Sequence, residues 1–349
     1  MFKYIHDILE YPTTVLENES IGLSKGGLPI YGYIFGKGSL HISLVGGCHA
    51  DEPVGPWLLR KLVNFLDDQT DTHFLLHHFK WTIIPHANPD GEKINEKWQD
   101  ESAESANLTD YLQYAVRELP EDDIEFGFPS YPSLPPKRPE NDIIYEFWRK
   151  VGFPYHLHVS LHGMAKSYGP WFLFDLSWMR KSTLLQRLCV DRCKDLGYDT
   201  LHDVNRKGEK GFVRINRGFC SRPDGKSMKK HFLDRDDLQT ASYFHASSME
   251  CVRSFSGNTL TMVTEMPLFI IPKTVSALQW PNPELTQWST QFDEWKVQLA
   301  NDADPTVIET EAKKLGVIPM PYKDQMLLQW QTICAGVQQI KATGGGGSY

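Results

Sequence analysis

The sequence predicts an α/β fold, and three features of its first part indicate this class. Residues 28–37 and 40–47 are rich in β-branched and aromatic side chains and are bounded by glycines, as strands are. From Pro53 onward, apolar residues recur at helical spacing. A further apolar run over 79–91 ends in strong turn residues at 88–91. A strand, a helix and a strand in this order predict a parallel pair.

The elements that follow alternate in the same way. A helix is predicted around 108–116, and a proline-rich surface excursion separates it from a second helix at about 140–151. Alternating apolar residues predict a strand at 157–161, and another strand follows at 171–176. A helix at about 180–196 completes this part, so strands and helices continue to alternate.

The last part of the chain begins with a basic segment. Residues 206–235 carry ten Lys or Arg among thirty positions and are punctuated by glycine, so we expect a long loop or irregular hairpin. Residues 259–265 are β-branched and predict a strand. Beyond Pro272 the pattern is helical.

The domain organisation follows from the absence of a repeat or a clean linker. We predict one α/β domain over 1–300 and a helical C-terminal extension over 301–343 that packs on it. The terminal GGGGSY at 344–349 is typical of a linker or tag remnant.

The composition excludes several classes of function. The chain has 349 residues and is 41% hydrophobic, which suffices for a core, and its formal charge of −8 disfavours nucleic acid as a partner. It has no apolar stretch of about 18 residues and no signal-peptide core at its start, so we expect neither a membrane protein nor an exported one. Its six cysteines form no CxxC pair and predict free thiols in a reducing compartment, the cytoplasm.

Side chains that bind metals or transfer protons follow three predicted strands. His49 and Glu52 come directly after the strand that ends in Gly-Gly. His162 closes the strand at 157–161, and Glu265 closes the last one. Sites in open α/β sheets form outside the carboxyl ends of strands. Two imidazoles and one carboxylate hold zinc with a fourth position open to water, so the sequence predicts a catalytic zinc site. A site using Cys48 beside His49 is disfavoured, because adjacent side chains on extended backbone point to opposite faces.

These motifs together resemble the zinc carboxypeptidase family, including its succinylglutamate desuccinylase and aspartoacylase branch. The chain has GGCHADEPVG at 46–55, HANPDG at 86–91, SLHG at 160–163 and a late strand ending in Glu265, in the family's order over residues 20–300. The resemblance implies a mixed, largely parallel central sheet flanked by helices on both faces. It also implies one Zn²⁺ ion, bound by the two histidines and the glutamate of these motifs.

The resemblance also implies catalytic roles. Zinc would activate a water molecule and polarise the scissile carbonyl, and Glu265 would act as the general base. Arg117 matches the family's oxyanion-stabilising arginine by its distance from the next motif. Tyr243, 22 residues before Glu265, matches the family's mobile tyrosine and would cap the substrate.

One departure from the family concerns recognition of a peptide's terminal carboxylate. Where the family carries an Asn-Arg pair, the segment DIEFGFP at 123–129 places Glu125 and Phe126, which cannot donate two hydrogen bonds to a carboxylate. Either the basic loop supplies a substitute, or Glu125 selects a cationic substrate, or peptidase function is lost. The candidate substitutes in the loop are Arg214, Arg217 and Arg222.

The function expected from the sequence is therefore zinc-dependent hydrolysis of an amide bond in a peptide, as in carboxypeptidases. A deacylase or amidase acting on small N-acyl amino acids is an open alternative. A non-catalytic binding protein on the same scaffold is another, since the departure at Glu125 and Phe126 would suit it.

Overall fold

The computed structural model describes residues 1–17, 20–129, 135–274 and 279–344. Apart from Gly344, the predicted linker at 344–349 lies outside the described residues. The strands are β1 Gly22–Leu23, β2 Pro29–Ile30, β3 Tyr33–Phe35, β4 Leu40–Gly46, β5 Phe79–Ile84, β6 Leu157–Ser167, β7 Trp171–Phe174, β8 Arg214–Asn216, β9 Phe219–Ser221, β10 Leu260–Ile270 and β11 Ile318–Pro319. The α-helices are α1 Ile5–Leu9, α2 Val54–Asp67, α3 Phe74–His78, α4 Pro89–Asn95, α5 Leu108–Tyr114, α6 Pro139–Val151, α7 Thr183–Asp195, α8 Gly225–Leu233, α9 Leu238–Ser242, α10 Ser248–Ser256, α11 Pro283–Ala300, α12 Pro305–Lys314 and α13 Tyr322–Ala342.

Within the described ranges, nine strands form a mixed sheet. Their order is β3-β5-β4-β6-β10-β7-β9-β8, and β11 pairs with the end of β10. The four central strands β5, β4, β6 and β10 are parallel, whereas β3 pairs antiparallel with β5, and β7 and β11 pair antiparallel with β10. The predicted mixed α/β class is therefore confirmed.

Helices cover both faces of this sheet, and its central strands are buried on both sides. On β4, Leu44 belongs to the larger core, where α2 and α13 pack, whereas the next residue, Val45, belongs to a second core. The second core receives Trp148 from α6 and Val252 from α10. Successive residues of a strand point to opposite faces, which explains the two cores.

Several predicted boundaries differ from the structure. The strand expected at 28–37 is divided into β2 and β3, and the turn expected at 88–91 instead begins helix α4. The Asn88 side chain accepts a hydrogen bond from the Gly91 N–H, and Pro89 occupies the first helical turn, so these apparent turn residues serve as a helix start. The basic segment 206–235 contains the β8-β9 hairpin and helix α8.

The strands that carry His162 and Glu265 continue past both residues, contrary to the prediction that each residue closes its strand. β6 runs to Ser167 and β10 to Ile270, and the two remain paired in register over this extension. Pairing between two strands about a hundred residues apart in sequence satisfies the backbone beyond the predicted ends, which local composition does not reveal.

The C-terminal helix α13 lies inside the core. Sixteen of its 21 residues are buried, and it packs against α2, α7, β6 and β10. The Gln329 side-chain amide donates to the main-chain carbonyl of His162 at 3.3 Å. A helix that is buried on nearly all sides belongs to a protein interior. Helix α13 therefore supports the strand that carries the predicted site.

We predict that Leu328→Ala in α13 lowers the free energy of unfolding by about 2–5 kcal/mol, because Leu328 is fully buried and its removal leaves a cavity. Leu238→Ala is the matched control, since Leu238 is 68% exposed and its loss should change stability by less than about 0.5 kcal/mol. Urea unfolding followed by circular dichroism measures both. Equal effects of the two variants would contradict the interior position of α13.

Candidate metal centre

The loop between β4 and α2 carries two of the predicted ligands. Gly47 adopts a positive φ of 64°, and a Cβ atom there would lie 2.5 Å from Nδ1 of His86, so only glycine fits. The chain then turns, with the Glu52 N–H donating to the His49 carbonyl at 3.3 Å. This turn places the side chains of His49 and Glu52 on the same side, next to β6.

Three predicted ligand atoms converge at this point. His49 Nδ1 lies 3.1 Å from Glu52 Oε1 and 3.1 Å from His162 Nδ1. His162 Nδ1 lies 2.8 Å from Glu52 Oε2. Ligand atoms bound tetrahedrally to zinc at about 2.0–2.1 Å lie roughly 3.3 Å from one another. The three side chains therefore present their atoms close to the spacing that zinc requires, and they form a candidate metal site.

Carboxylates contact the outer nitrogen of each imidazole. His49 Nε2 lies 3.4 Å from Asp123 Oδ1, and His162 Nε2 lies 3.4 Å from Glu125 Oε2. Ser160 Oγ also contacts His162 Nε2, at 2.8 Å. Metal-binding histidines commonly have such partners, which fix the ring orientation and raise the basicity of the ligand nitrogen. The structure thus orients both Nδ1 atoms toward the common point.

Glu125 is buried beneath the site rather than exposed to substrate. Only 3% of the residue is exposed, and its Oε1 accepts hydrogen bonds from the Ser248 N–H at 3.2 Å and from Ser248 Oγ at 2.9 Å. The prediction that Glu125 binds a cationic substrate group does not agree with this position. Its contact with His162 indicates a positioning role for the carboxylate.

Arg117 contacts the candidate metal site by donating hydrogen bonds to two carboxylates. Nη1 of Arg117 donates to Glu52 Oε1 at 2.6 Å and to Asp51 Oδ1 at 2.8 Å. The Arg117 side chain remains 46% exposed. The predicted arginine is therefore next to a ligand and open to solvent, in a position to meet a substrate.

The charges of the cluster shift the pKa values of its members. Burial lowers the pKa of His162, but the charge of Glu52 and hydrogen bonds to carboxylates raise it overall to about 9. Burial and Arg117 oppose protonation of His49, yet Glu52 and Asp123 raise its pKa well above the usual value. Burial raises the pKa of Glu52, but the neighbouring cations hold it well below its ordinary range. Metal binding must therefore displace protons from the imidazoles.

Glu265 stands beside His162 on the neighbouring strand. The two residues are directly paired in the parallel register of β6 and β10, so their side chains leave the same face of the sheet. Burial and then the negative charge of Glu52 raise the pKa of Glu265 to about 8, while the imidazoles and Arg117 oppose the shift. A carboxylate in this environment can bind and release a proton near neutral pH.

A second group of possible ligands shares His162. Cys48, Glu125 and His162 offer atoms within 4.8 Å of one another. Burial and the charge of Glu125 raise the pKa of the Cys48 thiol well above its usual value, whereas a metal ligand must be a thiolate. All three residues are buried, whereas His49 in the other group is partly exposed. The group with His49 and Glu52 fits a catalytic ion better.

The three arginines predicted to bind substrate have partners of their own. Arg214 forms an ion pair with Asp203 at 2.7 Å, and Arg222 forms one with Asp175 at 3.0 Å. Arg217 donates to a main-chain carbonyl and is exposed. The structure does not bring these arginines to the candidate ligands.

Two other residues predicted for the site, Tyr243 and Phe126, contact side chains that do not belong to the candidate metal site. Tyr243 follows helix α9, and its hydroxyl accepts a hydrogen bond from Gln239 at 3.0 Å. Phe126 is buried and packs edge-on against Phe244, with ring centroids 5.5 Å apart. Capping of a substrate by Tyr243 therefore stays a prediction, and Phe126 has a packing role.

Sequence reasoning missed the carboxylates and hydroxyls around the ligands. Asp51 immediately precedes Glu52, and Asp123 precedes Glu125 by two positions in the segment DIEFGFP. Acidic residues two positions apart on an extended chain point to the same face, so this spacing could have indicated that Asp123 and Glu125 act together. Ser248 gave no such signal, because the capped start of α10 places it by tertiary packing.

The N-terminal third of the chain is similar to a known protein family. Residues 1–121 match the family model for zinc carboxypeptidase. This range contains His49, Glu52 and Arg117, so the resemblance carried by the first motifs is confirmed. Comparison with curated proteins gives no match.

Solved carboxypeptidase structures are similar over nearly the whole chain at low identity. Bovine thrombin-activatable fibrinolysis inhibitor, in complex with a tick carboxypeptidase inhibitor, has 13% identity and a TM-score of 0.48, covering 98% of this chain and 96% of its own. Carboxypeptidase A from Helicoverpa armigera has 14% identity and a TM-score of 0.47, covering 99% and 72%. A metallo-carboxypeptidase from Burkholderia cenocepacia has 12% identity and a TM-score of 0.47, covering 98% and 68%.

We predict that zinc-free protein with Glu265→Gln gains stability over the wild type as pH rises from about 4.5 to about 8. The folded state raises the pKa of Glu265 to about 8, so it holds a proton that the unfolded state releases, and wild-type stability falls across this window. The difference in free energy of unfolding should reach at least about 1 kcal/mol.

Urea unfolding in the presence of a chelator, at several pH values, measures this difference. Glu294→Gln, at an exposed position on α11, serves as the control and should follow the wild type at every pH. A constant offset between Glu265→Gln and wild type across the window would show that the carboxyl group of Glu265 is not perturbed.

Proposed function

We propose that this protein is a zinc-dependent hydrolase that cleaves an amide bond in a peptide, in the manner of carboxypeptidases. The observation that carries the proposal is the convergence of His49, Glu52 and His162 within 2.8–3.1 Å, with Glu265 in register beside His162. The match of residues 1–121 to the zinc carboxypeptidase family supports the identity of the metal.

The residues present fit zinc in number, chemistry and exposure. Two imidazole nitrogens and one carboxylate leave a coordination position open, and the His49 side chain is 12% exposed, so solvent reaches the site. A bound zinc ion would supply Lewis acidity, which activates water and polarises a carbonyl group.

Glu265 is the proposed proton carrier. Its side chain accepts a proton from the attacking water and delivers it to the nitrogen of the departing amine, which splits the amide bond into a carboxylic acid and an amine. A pKa raised by burial suits this role, because the group must both take and return a proton. A cation held by the neighbouring ligands would bring that pKa down toward neutral pH.

Arg117 is the proposed stabiliser of the negative charge that develops on the substrate oxygen. Its ion pairs with Glu52 and Asp51 both use Nη1, and a guanidinium has five N–H donors. The donors on Nη2 and Nε make no hydrogen bond to the described residues and can meet a substrate oxygen. The same ion pairs also fix the orientation of the Glu52 carboxylate.

The structure also bears on where the protein acts. All six cysteines lie in the described ranges and are buried free thiols, which supports a reducing compartment such as the cytoplasm. None of the helices in the described ranges combines the length and apolarity needed to cross a membrane.

A small N-acyl amino acid is the alternative substrate. Glu125 is engaged with His162 and Phe126 is buried, so neither residue replaces the family's carboxylate-binding pair. Peptides with free and with amidated C-termini separate the two activities, because carboxypeptidase action requires the free terminus whereas deacylation of an N-terminal acyl group does not.

We predict that Glu265→Gln lowers turnover at least roughly 100-fold while zinc content stays at the wild-type level, because the amide cannot accept the proton but does not bind the metal. Turnover is measured on the peptide panel, and zinc by elemental analysis of the same samples. Glu294→Gln is the matched control and should retain wild-type turnover. Turnover within a few-fold of wild type in Glu265→Gln would refute the assigned base.

We predict that Glu125→Gln weakens zinc binding by roughly 10–100-fold, because His162 loses the carboxylate that orients its ring. Competition with a chromophoric chelator measures the affinity. Glu121→Gln, at an exposed position in the same segment, should bind zinc as the wild type does. If Glu125→Gln binds zinc equally well, the carboxylate does not position His162.

A further inference from the structure

One cavity is lined in part by the residues of β6 that follow His162, from Met164 to Lys166. Its volume is about 540 Å³, and it lies along the extension of β6 beyond His162. Side chains that line it include those of Met164, Lys166, His202, Arg206, Glu209 and Trp280.

Arg206 is the unusual member of this cavity. Its Nε atom is buried without a hydrogen-bond partner, and its guanidinium forms no ion pair with any described residue. Three aromatic rings hold it instead, with centroids 4.3 Å away for Phe212, 5.4 Å for Trp280 and 5.7 Å for Trp171. A buried cation without an anionic partner is costly, so this arrangement suggests that the partner is a ligand.

Neighbouring charged groups do not supply that partner. Glu209 lines the cavity, but its carboxylate contacts Arg235 at 3.1 Å, His231 at 3.4 Å and the Trp280 indole N–H. By contrast, Arg214 in the same segment has a two-pronged ion pair with Asp203. Of these two arginines, only Arg206 has no ionic partner among the described residues.

The rest of the cavity wall also offers donors. His202 Nδ1 accepts a hydrogen bond from the Tyr168 N–H at 3.4 Å, so the proton of the neutral ring lies on Nε2. That Nε2 is buried without a partner. Lys166 Nζ lies 4.3 Å from the ring centroid of Phe292 and forms no ion pair with a described residue. Three donors, none of which has an anionic partner among the described residues, indicate an anionic ligand.

The cavity is connected to the proposed catalytic machinery through two strands. Trp171, over which Arg206 lies, pairs directly with Glu265 in the register of β7 and β10. Met164 follows His162 by two positions on β6, and the Trp171 indole N–H donates to its sulfur at 3.1 Å. The cavity therefore begins two residues along β6 from a predicted ligand, and the strand paired with Glu265 supplies a ring that contacts Arg206.

We propose that this cavity binds a carboxylate group of the substrate, with Arg206 as the principal partner and Lys166 and His202 as additional donors. The proposal rests on the proposed function, because it treats the cavity as a subsite of the same reaction. Arg206 is then a specificity-determining residue on the side of the base, away from Glu125. A peptide's terminal group and an acidic side chain both present a carboxylate, and both satisfy the guanidinium in the same way.

The test measures binding to zinc-free protein, so that it does not depend on hydrolysis. The probes are N-acetylglutamate amide, which has only a side-chain carboxylate, and N-acetylglutamine, which has only a terminal carboxylate. N-acetylglutamine amide, which has neither, is the reference. Tryptophan fluorescence reports binding, because Trp171 and Trp280 flank Arg206.

We expect at least one of the two carboxylate probes to bind at least tenfold more tightly than the neutral reference. Arg206→Met should remove this preference, and Arg206→Lys should retain part of it, since lysine keeps the charge but not the planar fork. Arg217→Met is the matched control and should bind as the wild type does, because Arg217 is exposed and donates to a carbonyl.

The probe whose affinity depends on Arg206 identifies the source of the carboxylate. Equal affinity for all three probes, or a carboxylate preference that survives Arg206→Met, would overturn the proposal. Thermal unfolding of each variant shows that the fold is retained. Loss of this subsite would leave the zinc and Glu265 experiments unaffected, so the two proposals fail separately.

Discussion

The geometry of the candidate metal site depends on the register between β6 and β10. Because these parallel strands place His162 and Glu265 side by side, a ligand nitrogen and a candidate base leave the same face of the sheet. β4 lies on the other side of β6 and ends at Gly46, so its loop brings His49 and Glu52 to the same point. A shift of one residue in either pairing would turn the partner side chain to the opposite face. The buried helix α13 supports this register from beneath, through Gln329.

Charge is divided across the site in a way that suits its proposed chemistry. Carboxylates surround the ligands, and cationic or donor groups line the cavity beyond the base. The carboxylates are Asp51, Glu52, Asp123 and Glu125, and the donors are Lys166, His202 and Arg206. Negative charge around the imidazoles favours a divalent cation, whereas unpaired donors favour an anionic substrate. Glu265 lies between the two regions, because its strand neighbours are His162 on one side and Trp171 on the other.

The local sequence was sufficient to predict the metal ligands, but not to predict the residues that surround them. The residue types of His49, Glu52 and His162, together with the strand ends near them, could be recognised without knowledge of tertiary contacts. The full lengths of β6 and β10 could not be recognised from local sequence, because the extension of each strand is stabilised by pairing with the other. The same limit applies to the arginines of the basic segment. Arg206 and Arg214 look alike in sequence, and only the position of Asp203 leaves one paired and the other free to meet a ligand.

The most direct measurement of the central claim is anomalous diffraction at the zinc edge from crystals of zinc-loaded protein. The account predicts a single ion at about 2.0–2.2 Å from Nδ1 of His49, Nδ1 of His162 and the Glu52 carboxylate. Its remaining position should face solvent and Glu265. An ion bound instead by Cys48 and Glu125, or no ordered ion near these side chains, would contradict the account.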